Sequence, residues 1–290
     1  MDDTGASLLD WLKAGLQYLL PQHVITRTAH WLTRVETPAV KNWLIRSFIQ
    51  HFNVDMSEAA EPVSRAYPSF NAFFTRALRA GARTISPEAE SIACPVDGTV
   101  SQCGNIERYS IFQAKDRDFT TQELLGDASL ADQFANGEFA TLYLSPRDYH
   151  RIHMPLDGTL RHMLHIPGRL FSVNPPTTRV VPDLFARNER VVTVFETLAG
   201  PMAVVMVGAL NVASIETVWA GEITPPRSKQ VRAWKYQDNG ITLKKGAELG
   251  RFNMGSTVIL LFGRNRARWN AELKADADVK MGQSVGMLLI

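Results

Sequence analysis

The sequence predicts an α+β fold, with a mainly β, sandwich-like core preceded by amphipathic helices. Three observations carry this. Between about residues 6 and 52, apolar positions recur at helical spacing and are punctuated by Pro21 and Pro38. From Ile92 onward, turn residues and short apolar runs dominate, which is the pattern of strands. That region has too few long helical patterns for a doubly wound α/β fold. With 45% hydrophobic and 21% charged residues, the 290-residue chain can bury a sizeable core.

In the N-terminal region, Leu8, Leu9, Leu12, Leu16, Leu19 and Leu20 follow helical spacing, as do Trp43, Leu44, Phe48, Ile49 and Phe52. Trp11, Trp31 and Trp43 lie here, interleaved with Lys13, Arg27, Arg34, Lys41 and Arg46. Two readings follow. Such a helix packs its apolar face on its own protein core, or it lies in a membrane interface with its cations near lipid phosphates. Residues 1–56 are expected to form an N-terminal helical, membrane-associating region, and 57–290 a β-rich domain. No apolar run reaches the roughly 18 residues of a membrane-spanning helix. Met1-Asp2-Asp3-Thr4-Gly5 is acidic and lacks the basic start of a secretory signal, so the cytoplasmic side is expected. A net charge of +2, without a dense Lys/Arg run, gives no case for nucleic acid.

After Met56, Tyr67–Arg76 reads as a short helical stretch. Pro95-Val96-Asp97-Gly98-Thr99-Val100 and Pro155-Leu156-Asp157-Gly158-Thr159-Leu160 match each other, each an Asp-Gly turn leading into a strand. The pair suggests two related β-units, an internal duplication. Further strands are expected at Phe139–Leu144, Arg190–Glu196, Ala203–Val207, Ser214–Val218 and Val258–Phe262. The two cysteines, Cys94 and Cys103, are too few for a disulfide framework and are expected as thiols.

The densest chemistry lies in Leu144-Ser145-Pro146-Arg147-Asp148-Tyr149-His150-Arg151-Ile152-His153-Met154-Pro155. His150, His153, His162 and His165 fall within sixteen residues. Acid–base chemistry suits imidazole near neutral pH. Metal binding lacks a completing Cys or Glu at recognisable spacing, so no metal is expected. Some of the four are expected to be hydrogen-bonded structural residues. Near the C-terminus stands Met254-Gly255-Ser256-Thr257, followed by the apolar run Val258–Phe262. A serine directly after glycine can attack the preceding carbonyl, because glycine has no Cβ in the way. Gly-Ser-Thr is also an ordinary turn phrase.

These phrases resemble the phosphatidylserine decarboxylase family. The resemblance takes in the histidine segment, the Gly255-Ser256-Thr257 site, Pro167–Asn174, Leu184–Arg190, Gly200–Ala203, Ser214–Gly221 and Ile223–Arg227. It covers most of residues 67–263, in the family's order. It implies a self-processing proenzyme in which Ser256 attacks Gly255, with His153 as base and Asp97 orienting it. The products would be a large β chain, 1–255, and a small α chain, 256–290, held together as a heterodimer. Ser256 would become a covalent pyruvoyl group, derived from pyruvate, that takes the substrate amine as a Schiff base. The reaction implied is decarboxylation of phosphatidylserine to phosphatidylethanolamine at a membrane-lipid surface, with the enzyme peripheral on the cytoplasmic side of the cell membrane. His150 would assist proton transfer or position the substrate. Met254 departs from the family's usual leucine, a swap of similar volume. Two other classes are compatible with the residues alone. One is a serine hydrolase using Asp97, His153 and Ser256; the other is a non-catalytic, lipoyl-carrier-like membrane module.

Overall fold

Ser7 opens the first helix with a capping box: its hydroxyl accepts from the Asp10 amide, and the Asp10 carboxylate accepts from the Ser7 amide. The computed structural model describes residues 7–210, 214–224, 229–236, 240–253 and 256–289. Three helices occupy the expected region: α1 (Leu8–Leu19), α2 (Gln22–Thr33) and α3 (Pro38–Phe52). The breaks fall at the two prolines. Pro38 is the first residue of α3, where a missing N–H leaves no bond unmade.

The helices orient their apolar residues differently. The inward face of α3, with Ile45, Phe48, Ile49 and Phe52, packs on α4 (Phe70–Phe74), Val54 and Tyr67 in a second hydrophobic cluster. That cluster joins residues on both sides of position 56. On α1 and α2 the buried residues are Ala14, Gln17, Gln22, Thr26 and Thr33. Gln17 accepts from the Ser172 amide at 2.8 Å, and Gln22 from the Leu170 amide at 2.9 Å. Gln22 also donates to the Gln17 carbonyl at 2.9 Å. The two helices are therefore held to the core by satisfied polar groups, while Leu8, Leu12, Leu16, Leu19 and Trp31 point outward. Lys41 departs from its expected place beside lipid phosphates. It is buried, and its ammonium donates to the carbonyls of Arg65 and Tyr67.

The β core comprises β1 (Ser91–Ala93), β2 (Gly98–Asn105), β3 (Ser110–Ala114), β4 (Arg117–Thr120), β5 (Glu138–Leu144), β6 (Arg151–His153), β7 (Gly158–Ile166), β8 (Arg190–Thr197) and β9 (Gly200–Val207). It continues with β10 (Ile215–Thr217), β11 (Gly221–Thr224), β12 (Arg232–Lys235), β13 (Thr242–Leu243), β14 (Glu248–Phe252), β15 (Ser256–Phe262), β16 (Ala267–Trp269), β17 (Asp278–Val279) and β18 (Ser284–Leu288). The main sheet runs β12-β7-β8-β9-β15-β5-β2-β17, with β13 also on β7. A four-stranded sheet, β11-β10-β14-β6, carries the histidine segment. The pairings in both sheets are antiparallel. The five strands expected from sequence appear as β5, β8, β9, β10 and β15. Every residue of β15 is buried, as its unbroken apolar run requires of a strand covered on both faces. Cys94 and Cys103 are free thiols.

Both Asp-Gly turns lead into strands of the main sheet, at Gly98 of β2 and Gly158 of β7. Their aspartates differ. Asp157 is exposed and pairs with Lys244 at 2.7 Å, whereas Asp97 is buried. Gly98 permits the close approach here: a Cβ would stand 2.2 Å from the Tyr143 carbonyl oxygen of β5.

Candidate active site

Ser256 is the first residue of β15. It pairs with Leu144 of β5, and the next residue, Thr257, pairs with both Tyr143 of β5 and Val207 of β9. Strands on both sides thus fix its backbone. The Ser256 side chain is fully buried, and its Oγ has no hydrogen-bond partner among the described residues. An unmade bond at a buried hydroxyl costs about 1–3 kcal/mol. Met254 and Gly255, like Pro225, Pro226 and Arg227, lie outside the described residues. The chain just upstream is anchored by Asn253, which donates to Ser214 Oγ and accepts from Asn71 at 3.0 Å.

The histidine segment follows β5 of the main sheet and ends in β6 of the four-stranded sheet. Its β6 pairs with β14, and the Phe252 amide donates to the His150 carbonyl at 3.0 Å. The His153 amide donates to the Pro95 carbonyl at 2.9 Å, two residues before Asp97. Backbone pairing therefore brings together the chain segments that carry Asp97, His150, His153 and Ser256.

Their side chains have separate partners. His150 is buried against the Phe74 ring, with centroids 4.1 Å apart. Its Nδ1 lies 2.8 Å from the Asp148 carbonyl, which can only accept, so Nδ1 carries the proton. Its Nε2 is buried without a partner among the described residues. Burial pushes the imidazole down to about 3, so it is neutral at working pH. His153 Nδ1 is 2.8 Å from the Gly246 carbonyl and its Nε2 is 2.9 Å from the Tyr149 hydroxyl. Burial also lowers its pKa.

Asp97 accepts from Arg83 through both carboxylate oxygens and from the Met281 amide at 2.8 Å. Lys280 stands 3.6 Å away. Burial raises the Asp97 carboxyl, but Arg83, Met281 and Lys280 together outweigh it and hold the group below the ordinary carboxylate range. Arg83 is itself held by Glu58 in a two-bond fork. Among the described residues, no hydrogen bond joins Asp97 to His153, or Ser256 to either histidine. Of the other two histidines, His165 is a buried sheet residue tied to Glu189 at 3.0 Å and Arg232 at 3.2 Å, and His162 sits half-buried on β7.

A family model described as phosphatidylserine decarboxylase matches residues 70–287, and a second, described as PSD, matches residues 12–53. The chain belongs to the phosphatidylserine decarboxylase family. Among its curated relatives, a phosphatidylserine decarboxylase proenzyme of Alkalilimnicola ehrlichii is 62% identical over 262 residues, covering 90% of this chain and 91% of the relative. One from Methylococcus capsulatus is 55% identical over 276 residues, 95% and 96% of the two chains. One from Azotobacter vinelandii is 56% identical over 274 residues, 93% and 96%. The chain is thus an enzyme of the phosphatidylserine decarboxylase family.

Two residues that touch the candidate site were not singled out in the sequence. Arg83, the main partner of Asp97, stands fourteen positions upstream of it, outside any recognised phrase. Tyr149 lies inside the histidine phrase, and its spacing of four from His153 was the available signal.

The burial of His150 sets a pH dependence. Its folded pKa is depressed, so below the ordinary value of 6.5 the unfolded chain takes up a proton that the folded site refuses. Stability is therefore lost as pH falls from 6.5 toward about 3. In urea titrations at pH 6.5 and 4.5, His150→Gln is expected to shrink the loss between the two pH values by about 2 kcal/mol, since each pH unit is worth about 1.4 kcal/mol for one group. An unchanged loss would contradict a neutral buried imidazole.

Proposed function

We propose that this chain is a proenzyme that cleaves itself between Gly255 and Ser256, and that the processed enzyme decarboxylates phosphatidylserine to phosphatidylethanolamine using a pyruvoyl group made from Ser256. The observation that carries this reading is the unpartnered, fully buried Oγ of Ser256 at the start of a central strand. A hydrolase serine must meet an external substrate; this one has a neighbouring peptide carbonyl as its nearest electrophile in sequence. The residues fit a pyruvoyl group, because processing replaces the unsatisfied hydroxyl with a methyl group in an apolar strand environment.

In processing, Ser256 Oγ bonds to the Gly255 carbonyl carbon and gives its proton to an imidazole. The peptide C–N bond then breaks, leaving an ester and an amine. Removal of the α-proton of residue 256 breaks the Cβ–Oγ bond and releases the Gly255 carboxylate. Tautomerisation and hydrolysis of the remaining dehydroalanine release ammonia. His153 is the assigned base, with its proton-bearing Nδ1 held by the Gly246 carbonyl. Asp97 acts on both histidines through its charge and holds the small chain through the Met281 amide. The pyruvoyl ketone would supply an electron sink for the departing carboxylate. His150, neutral and with Nε2 free of any partner among the described residues, would exchange a proton or hold the substrate in a water-poor site.

The surface of α1 and α2 supports a peripheral position on the membrane. Leu8, Leu16 and Leu19 are 78%, 62% and 82% exposed, and Trp31 is 68% exposed, while glutamines face the core. This reverses the ordinary soluble arrangement and offers an apolar face to lipid. Among the described residues, no helix is long and apolar enough to cross a membrane. The arrangement suits a lipid substrate whose acyl chains stay in the bilayer.

Intact mass under denaturing conditions tests the central claim. Two chains, 1–255 and 256–290, are expected, the smaller blocked to N-terminal sequencing. A single 32.3 kDa species with full decarboxylase activity would overturn it.

A further inference from the structure

Tyr149 is 5% exposed, and its hydroxyl makes the hydrogen bond to His153 Nε2, at 2.9 Å. The two rings lie 5.6 Å apart at 31°, close to parallel. The other ring nitrogen, Nδ1, faces the Gly246 carbonyl, which can only accept. Nδ1 therefore carries the proton, and Nε2 of the neutral ring presents a lone pair to which the Tyr149 hydroxyl donates. Gly246 is held by its amide, which donates to the Met154 carbonyl at 2.9 Å, and its φ of +78° and a would-be Cβ contact of 2.9 Å with Ile85 fit glycine alone. Tyr149 also lines a cavity of about 290 Å³ together with Asp97, Arg76, Arg147 and Lys280. Its hydroxyl thus touches the imidazole, and its side chain borders the polar space that Asp97 faces.

We propose that Tyr149 is a positioning residue for self-cleavage: its hydroxyl holds Nε2 of His153 in the basic tautomer and links that nitrogen to the cavity lined by Asp97. This rests on the processing role assigned to His153 above. A hydroxyl suits the place because it donates to neutral Nε2 and accepts from Nε2–H once the ring is charged. The contact therefore persists through proton transfer. Burial keeps the phenol protonated well above its ordinary range, so Tyr149 stays a neutral hydrogen-bonding group throughout. The charged groups around this pair are Glu248, opposite His153 on β14, Arg151 on β6, Arg251 on β14, and Asp97.

The test follows the chain made by cell-free synthesis, timing the appearance of the two fragments between pH 5 and 8 for the unsubstituted protein and Tyr149→Phe. Cleavage needs neutral His153, so the rate falls as pH drops through its pKa. Without the hydroxyl, charged Nε2–H loses its acceptor. The acid limb should move to lower pH and the plateau rate should fall about tenfold or more, the size of one lost hydrogen bond. A plateau within about twofold and an unmoved acid limb overturn the proposal. A purely structural role would lower the melting temperature without moving the limb. Failure of the unsubstituted chain to cleave would instead overturn the processing reading itself. A second measurement needs no change at Tyr149. In uncleavable Ser256→Ala protein, nitrogen-15 resonances of His153 should show Nδ1 protonated and Nε2 bare, and protonation on Nε2 in the neutral ring would also overturn the proposal.

Discussion

Ser256→Ala is expected to remain a single chain of about 32 kDa, with decarboxylation lost completely, because the substitution would remove both the proposed nucleophile of processing and the proposed source of the carbonyl group. The variant should fold. Ser256 Oγ makes no hydrogen bond, so its removal leaves no partner stranded, and alanine fits a site already filled by the serine Cβ. Near-ultraviolet circular dichroism should therefore retain the signature of packed aromatic residues. Denaturing gels read processing, and release of carbon dioxide from phosphatidylserine reads activity. Two fragments from the alanine variant, or activity from an intact chain, would contradict the assignment. A folded, uncleaved and inactive protein separates a chemical defect from misfolding, which substitution of Asp97 would not do so cleanly. Asp97 holds Arg83 and the Met281 amide in a buried network, and its loss leaves the Met281 amide unpaired and strips Arg83 of one of its two carboxylate partners.

The second large effect concerns the outward face of α1. Replacing Leu8, Leu12, Leu16 and Leu19 together by serine should lower partition onto phospholipid vesicles by at least about a hundredfold, since each fully buried leucine is worth roughly 1.5–3 kcal/mol. These four side chains are mostly exposed in the protein, so thermal stability should change little. Sedimentation with vesicles provides the measurement, and equal binding by the two proteins would refute a membrane role for this face. Activity on detergent-dispersed substrate should survive, because none of the four residues belongs to the site.

The two predictions differ in how far the sequence revealed their basis. Helical spacing marks α1 as amphipathic, but spacing alone does not say which side meets protein. That was decided by Gln17 and Gln22, whose amides satisfy the backbone at Ser172 and Leu170, about 150 residues away in sequence. Central strands such as Val258–Phe262 were legible because a run buried on both faces must be apolar throughout. Short strands such as β6 and β17 were not, because two or three residues carry no period. At the candidate site, Asp97, His153 and Ser256 stand out in the sequence through local phrases resembling a family. The Arg83 contact was not, since it depends on folding a distant turn against the sheet. Lys41 misled for a related reason: a cation among tryptophans has the composition of a lipid contact, yet its ammonium is captured by carbonyls at Arg65 and Tyr67.

The position of β15 has a lasting consequence. This strand sits between β9 and β5 in the middle of the main sheet, while β16, β17 and β18, further along the same C-terminal stretch, join two different sheets. A cut just before Ser256 would leave a 35-residue fragment threaded through the interior of its partner. Such a fragment cannot leave without dismantling the sheet, and once out it has no covalent tether to guide its return. The two-chain enzyme would then owe its shape to a continuous chain that no longer exists. Its endurance would be set by how slowly it opens, with heat or denaturant inactivating it for good.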